Sequence, residues 1–475
     1  MRVVEDGGVL RVPGREGTAE QFLAVIGALT DQVAAQGELI AELRATVAEL
    51  TARLGQDSSN SSRPPSSDGL RPAPKSLRRA SGRKPGGQVG HKGSTLEMTD
   101  VPDQVVDHLP QRCGRCGHDL VGVLSASTER RQVVDLPPMA PVVTEHRLHE
   151  VTCPGCGAAT RASAPAGVRR QVQYGPRTSA LMAYLVDAQH LSVSRCAQAM
   201  SEVMGLPVAT GTVQAVVARA AAVVDARFVP LVRDLLAAAS VLHVDETGFK
   251  VAGTLAWAHS ASDPHLTLID VHAKRGRKAM DAVGVLPAFT GTLVHDAWAP
   301  YDTLGKVDAH QLCCAHVLRE LRAVSDHHHD LDPRRWCWAD QTAAALRTAI
   351  ADPTAADQAR KQITDALAAT QLHHHPPGKL GAKHRALARR LSDRLEDYLR
   401  FTTDPAVPPT NNAAEQEIRM VKIKHKITGG MRTLTGARRF AAMRSYLATA
   451  RKHHVPPLQA ITTLFTGDPW LPAAP

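Results

Sequence analysis

The chain has 475 residues, a formal net charge of +10 and a pI near 9.3. That length exceeds one ordinary hydrophobic core and points to roughly three to five modules. The basic balance suits a polyanionic partner, although charge alone does not separate nucleic acid from non-specific attraction. No run of about 18 apolar residues is present, so no membrane span is expected. The N-terminus, MRVVEDGGVL, lacks the basic and apolar regions of a signal peptide. A soluble, reducing compartment is the default expectation. Four of the eight cysteines sit in two CxxC pairs, which suits metal ligands rather than disulfides.

Residues 18–55 carry a heptad repeat. Ile26, Val33, Ile40, Val47 and Leu54 recur at one seam, while Leu29, Leu43 and Leu50 fill the other; Phe22 leads in and Gln36 interrupts. Branched residues at the first seam with Leu at the second predict a parallel two-stranded coiled coil, hence a homodimer or higher oligomer. The plainer alternative is a helix packed on its own globular domain. Residues 56–100 then become rich in Ser, Pro, Gly, Lys and Arg, in DSSNSSRPPSSDGLRPAPKSLRRASGRKPGGQVGHKGS. Such a segment buries too little apolar surface to fold alone. It reads as a disordered basic linker, compatible with an arm that follows DNA phosphates.

Residues 101–170 contain QRCGRCGHDL and VTCPGCGAAT. Cys113, Cys116, Cys153 and Cys156 form CxxC…CxxC, each pair followed by a glycine that lets the backbone turn around a metal. Four thiolates make a closed tetrahedral site, so the expected Zn²⁺ is structural. The intervening QVVDL and PVVTEHRLHEVT alternate like strands, which completes a zinc-ribbon reading. A redox pair is the alternative. Residues 171–235 give three helical segments, the second broken by Gly205 and Pro207 and the third capped by Thr210 or Thr212. Helix, glycine turn, helix is the outline of a DNA-binding helix-turn-helix, with the helix from Thr212 as reader. Any small helical bundle gives the same outline.

From residue 236 to 325 the pattern becomes strand-like. SVLHVDETGFKVAG, TLAWAHSASD and HLTLIDVHAKRG predict an antiparallel meander. RKAMDAVGVLPAF reads as a helix, GTLVHDAW and HQLCCAHV as short strands, and AHVLRELRAV as a helix. The order βββαβαβ and then a helix, with acids at strand ends, is that of a ribonuclease-H-like domain. Residues 326–408 read as a helical insertion whose HHH runs, at 327–329 and 373–375, are read as solvated turns, with metal sites as the alternative. The core resumes at 409–455 with a helix that Asn411 or Asn412 can cap, and 456–475 form a C-terminal tail. The fold class is therefore multidomain α+β or α/β: coiled coil, zinc ribbon, helical domain, and a ribonuclease-H-like core split by the insertion.

Three acids stand out: Asp245 and Asp296 after apolar β runs, and Glu415 at the start of a helix. Brought over one sheet edge, they could hold two divalent ions, since Mg²⁺ and Mn²⁺ prefer oxygen ligands. Glu246 adjoins Asp245, but neighbouring residues on a strand face opposite sides. Glu246 is therefore expected to support the site by hydrogen bonding rather than bind metal. After Glu415 the helix becomes basic, with Arg419, Lys422, Lys424 and Lys426 expected to contact DNA backbone. Trp298, Trp336 and Trp338 are read as core packing, with stacking on a displaced base as the alternative.

HVDET, HDAWAPY, CCAHVLRE and TNNAAEQEIR resemble the catalytic blocks of bacterial transposases of the insertion sequence 66 family. NSSRPPSSD, KPGGQVGHKG and the paired CxxC resemble its N-terminal blocks and zinc finger. The resemblance covers roughly residues 40–455. It implies a DDE transposase that cuts DNA at transposon ends and transfers the 3′-hydroxyl into target DNA. Its triad would be Asp245, Asp296 and Glu415 with Mg²⁺ or Mn²⁺. Cys314, His316 and Arg319 resemble a family segment beside the active site, or else serve as core packing. The second acid stands in DAWAPY where the family often has Asp-Gly-Tyr, with Tyr301 retained; the basic run after Glu415 departs from the usual Arg-Lys-Asn ending. The resemblance also implies a bacterial, nucleoid-associated protein, with accessory transposition proteins as further partners. The competing reading is an inactive, domesticated transposase that regulates as a zinc-containing DNA-binding protein.

Overall fold

The computed structural model describes residues 4–6, 9–12, 15–56, 90, 93, 95–137, 139–331, 335–372 and 378–473. Most of the expected basic linker and the histidine run at 373–375 lie outside the described residues. The chain divides into two compact units. At the start of the first, β1 (Val4–Asp6), β2 (Val9–Val12) and β3 (Arg15–Thr18) form a small antiparallel sheet that the sequence did not suggest. Helix α1 (Ala19–Leu54) spans the heptad stretch without a break. Its seam stays exposed along its length, with Ile26, Leu29, Val33, Ile40, Leu43 and Val47 all at least half accessible.

The second unit comprises 76–163 and 198–208. Strands β4 (Glu150–Thr152) and β5 (Ala159–Arg161) form a hairpin around the second CxxC, and an isolated bridge between Arg112 and Asp119 closes the first. The QVVDL segment and most of PVVTEHRLH are not strands. Alternation there finds no partner edge, and Val133, Val142 and Val143 are about nine-tenths exposed.

The rest of the first unit is built on a mixed five-stranded sheet. Before it come α2 (Pro176–Ala183), extended by a π-helical turn at Tyr184–Ala188, then α3 (Val193–Met204), of which residues from 198 on belong to the second unit, α4 (Thr210–Val223) and α5 (Val229–Ala237). Strands β6 (Val241–Val251), β7 (Thr254–Ser262) and β8 (Thr267–His272) are antiparallel. After α6 (Arg277–Val283), β9 (Thr292–His295) and β10 (Ala309–Leu312) add on parallel to β6, giving the order β10-β9-β6-β7-β8. The β9–β10 crossover contains a 3-10 turn, Ala299–Thr303, in place of the expected helix. Residues 299–303 include Pro300 and end five residues before β10, too few for helical turns to form.

Helices follow as α7 (Cys314–Leu331), α8 (Trp338–Ala351), α9 (Ala356–Ala368), α10 (Gly378–Asp393), α11 (Leu395–Leu399), α12 (Asn412–Thr428), α13 (Leu434–Lys452) and α14 (Pro457–Thr466). Alternate residues of β6 feed different cores. Leu242 and Val244 pack with α2, α4, α5, α13 and α14. Val241 packs with Val294, Leu312 and the helices from α7 to α11. Helices α2, α4 and α5 therefore share a core with the sheet. The C-terminal segment also departs from a tail: Ala460, Ile461 and Leu464 recur on one face and are buried.

Candidate active site

The sheet register brings the first two acids together. Strand β6 pairs with β9 through Val241–Thr292, Leu242–Leu293 and His243–Val294. Continuing that parallel register by two residues sets Asp245 level with Asp296, on one face of neighbouring strands about 4.8 Å apart. Asp296 follows β9 directly, and its Oδ1 accepts from the Trp298 amide at 3.0 Å. Ala297 beside it takes φ +70°, a left-handed conformation that favours glycine. That matches the Asp-Gly-Tyr form noted above.

Glu415 arrives from the other side of a long insertion, in the first turn of α12. Asn411, which precedes that helix, is almost fully buried. It occupies the cap position, but its side chain does not cap. Its Nδ2 donates to the Val244 carbonyl at 2.7 Å, its Oδ1 meets His243 Nδ1 at 3.0 Å, and its backbone N–H donates to Cys313 Sγ at 3.2 Å. The start of α12 is thus fixed to the residues just before Asp245 and just after β10. Sequence reading placed Asn411 as a cap and missed this clamp; nothing local marks a partner 168 residues away.

The three acids act on one another electrostatically. Burial raises the Asp245 carboxyl well above the usual 3.8, and the charges of Glu246, Asp296 and Glu415 push it further. Burial also raises Glu415, while Arg319 and Arg419 oppose the shift. The trio is not a single-ion cluster: among the described residues, the groups whose ligating atoms all lie within 4.8 Å are His295–Asp302–His310 and Cys313–His316–Glu415. The three carboxylates do not all lie within 4.8 Å of one another. Their donor chemistry fits hard divalent cations.

Glu246 points to the opposite face, as alternation requires. Its Oε1 accepts from Arg275 at 2.6 Å and its Oε2 from the Tyr301 hydroxyl at 2.5 Å. Arg275 lies over the rings of Trp257 and Trp298, 4.9 and 4.1 Å from their centroids. Trp298 is therefore engaged by Arg275 and by Tyr301, and Trp338 is fully buried, whereas Trp336 is 46% exposed. His316 and Arg319 do approach the site: His316 Nδ1 is 3.6 Å and Arg319 Nη2 3.9 Å from Glu415 Oε1. Burial, with the nearby guanidinium groups of Arg319 and Arg390, holds His316 down at about 4, so it is neutral. Cys314 points away, its thiol donating to the Tyr398 carbonyl at 3.4 Å.

The basic residues of α12 divide by helical phase. At about 100° per residue, Arg419, Lys422 and Lys426 fall within about 40° of Glu415, and Lys424 falls about 180° away. Arg419 and Lys426 are exposed and Lys422 half-buried. Lys424 is buried, and its ammonium donates to the carbonyls of Val186 and Leu191 at 2.9 and 3.1 Å. The expectation that Lys424 contacts DNA is corrected on that ground; a helical wheel would have excluded it. Thr212 is half-buried in the first turn of α4, whose cap position is Ala209, not a threonine.

In the zinc-knuckle region the backbone forms the expected turns. The Gly117 amide donates to the Cys113 carbonyl at 2.9 Å and the Gly157 amide to the Cys153 carbonyl at 2.8 Å, both glycines having positive φ. Backbone and paired-thiol hydrogen bonds lower Cys113 and Cys153. Each pair is thus formed as a knuckle and its donor set fits Zn²⁺, although the four sulfurs do not converge within 4.8 Å.

Among known protein families, residues 171–439 match the one described as Transposase IS66 family, over more than half of the chain. Residues 110–157 match the zinc-finger binding domain of transposase IS66, and residues 20–97 match a family of unknown function. No curated protein matches the chain.

The raised carboxyl of Asp245 has a consequence for stability. Its folded-state value exceeds its unfolded value, so its contribution is present below about pH 3.8 and lost as pH rises through the raised value. In metal-free protein at neutral pH, Asp245→Asn should therefore raise the melting temperature. The gap should narrow as pH falls towards 4. A variant that melts no higher than wild type at any pH would sink this reading.

Proposed function

The chain belongs to the IS66 family of transposases, and we propose that it cuts and joins DNA with Asp245, Asp296 and Glu415 as a DDE triad. The observation that carries this is the convergence just described: two aspartates level on adjacent parallel strands, and a glutamate fixed above them by Asn411. The strand order, three antiparallel strands extended by two parallel ones, supports a ribonuclease-H-like core.

Asp245, Asp296 and Glu415 would hold Mg²⁺ or Mn²⁺. Such ions, when bound, activate an attacking water or 3′-hydroxyl and stabilise the leaving oxygen. The chain's own groups do the rest. Arg419, Lys422 and Lys426, in line with Glu415 and following it along α12, hold the DNA backbone beside the scissile phosphate. Glu246 is neutralised by Arg275 and Tyr301, which fixes the strand behind Asp245 without drawing on the metal. The same triad serves cleavage at the transposon end and transfer of the freed 3′-hydroxyl into target DNA. Structural zinc on Cys113, Cys116, Cys153 and Cys156 and a helix starting near Thr212 support recognition of the ends. The exposed heptad seam of α1 supports pairing of two chains.

Supercoiled plasmid carrying the element's ends, with Mn²⁺, tests the chemistry. Asp245→Asn, Asp296→Asn and Glu415→Gln should each reduce nicking and strand transfer to the rate without protein while DNA binding persists. A variant that nicks like wild type would remove its residue from the triad, and nicking without joined product would favour a nuclease. Phosphate contact is tested by salt titration: Arg419→Ala should lower the salt slope of DNA affinity by about 1. Lys424→Ala should leave that slope unchanged and cost roughly 1–3 kcal/mol of stability. The opposite pattern would refute the assigned faces. In sedimentation, wild type should run as a dimer and Ile40→Glu as a monomer; a monomeric wild type would contradict the coiled coil.

A further inference from the structure

Beside the carboxylates lies a cluster that the proposed chemistry does not use as a unit. Cys313 follows β10, His316 stands in the first turn of α7, and Glu415 in the first turn of α12. One ligating atom from each lies within 4.8 Å of the other two. His316 Nδ1 and Glu415 Oε1 face each other across 3.6 Å, both shielded from water and both without a hydrogen-bond partner. Buried polar atoms left in that state cost free energy unless something else satisfies them. The other three-residue group, His295, Asp302 and His310, has no such vacancy: the histidines bond each other and Asp302 pairs with Arg394.

The spacing matches a chelate. Two N or O ligands at about 2.0–2.1 Å from a tetrahedral ion stand about 3.4 Å apart, and a thiolate binds at about 2.3 Å. We propose that Cys313, His316 and Glu415 bind a thiophilic divalent cation, Zn²⁺ above all, at a site distinct from the oxygen-lined one. Thiolate and imidazole select such ions, whereas Mg²⁺ avoids them. Binding displaces the Cys313 thiol proton to solvent. Thiolate and carboxylate then carry two negative charges against the ion's two positive ones. The resulting thiolate still accepts from the Asn411 amide, which stands 3.2 Å from the sulfur. Arg319, 3.9 Å from Glu415 Oε1, is the nearest opposing cation and must swing away. Resting on the triad reading, a further consequence follows: Glu415 cannot serve both sites, so zinc here withdraws it from catalysis.

The test uses the full chain, stripped of metal and titrated in separate samples with Zn²⁺ and with Co²⁺. Wild type should take up one more equivalent of zinc than Cys313→Ser or His316→Gln. It should also show a cobalt–thiolate absorption component that both variants lack. The four-cysteine cobalt band, retained in every cobalt-titrated sample, reports that the variants are folded. Asp245→Asn should keep the additional equivalent. Equal zinc content and identical cobalt spectra in wild type and both variants would overturn the proposal. So would loss of the additional zinc in Asp245→Asn, which would place it among the aspartates. Failure of the triad reading would instead show as unaltered nicking in Asp245→Asn and would leave this metal count untouched.

Discussion

The site depends on one buried amide. Asn411 joins three parts of the chain that covalent structure leaves far apart: β6 through His243 and the Val244 carbonyl, the end of β10 through Cys313, and α12 through its own backbone. Each such bond is worth only about 1 kcal/mol net, but a buried amide left unpaired costs about 1–3 kcal/mol. The arrangement is therefore held less by gain than by the penalty for any other placement. Because the clamp reaches the residue next to Asp245, the position of Glu415 follows the strand that carries the first acid.

The adjacent acids of β6 show how the same constraint separates roles. Asp245 lies on the face of β6 that meets α12, and Glu246 on the face that meets Tyr301 and Arg275. Glu246 receives a cation and a hydroxyl; Asp245 receives its neighbour's backbone amide and faces the charges of Glu246, Asp296 and Glu415, with Lys422 as the opposing cation. A carboxylate surrounded by other carboxylates is unfavourable without cations. The fold stores that repulsion where a divalent ion would relieve it. Glu415 stands near the Asp245 and Asp296 carboxylates as well as the Cys313 thiol and the His316 imidazole.

Period and alternation made much of this legible in the sequence. The apolar runs ending at Asp245 and Asp296 fixed the strands, and their parallel register then follows from the sheet order. The separation of Asp245 from Glu246 needed only the two-residue repeat. What failed had physical reasons. Lys424 was grouped with its basic neighbours by composition, whereas helical phase sends it into the core, where carbonyls of the π-helical region accept its ammonium. Val133 and Val142 alternate like strand residues but find no edge to pair with. The final helix was missed because prolines and a short length hid the apolar face of Ala460, Ile461 and Leu464. Asn411 stands at the expected cap position, but its side-chain partners are not legible because capping is a local rule and they are distant.

The central claim is that Asp245, Asp296 and Glu415 surround one shared pair of oxygen-bound cation positions. Fe²⁺ in place of Mg²⁺, with ascorbate and peroxide, cuts a polypeptide wherever its backbone lies against the ion. The wild-type chain should be cut near residues 245, 296 and 415 together, with a single Mg²⁺ concentration protecting all three. Cleavage near 245 and 296 that omits 415, or cuts that Mg²⁺ suppresses at separate concentrations, would contradict the account.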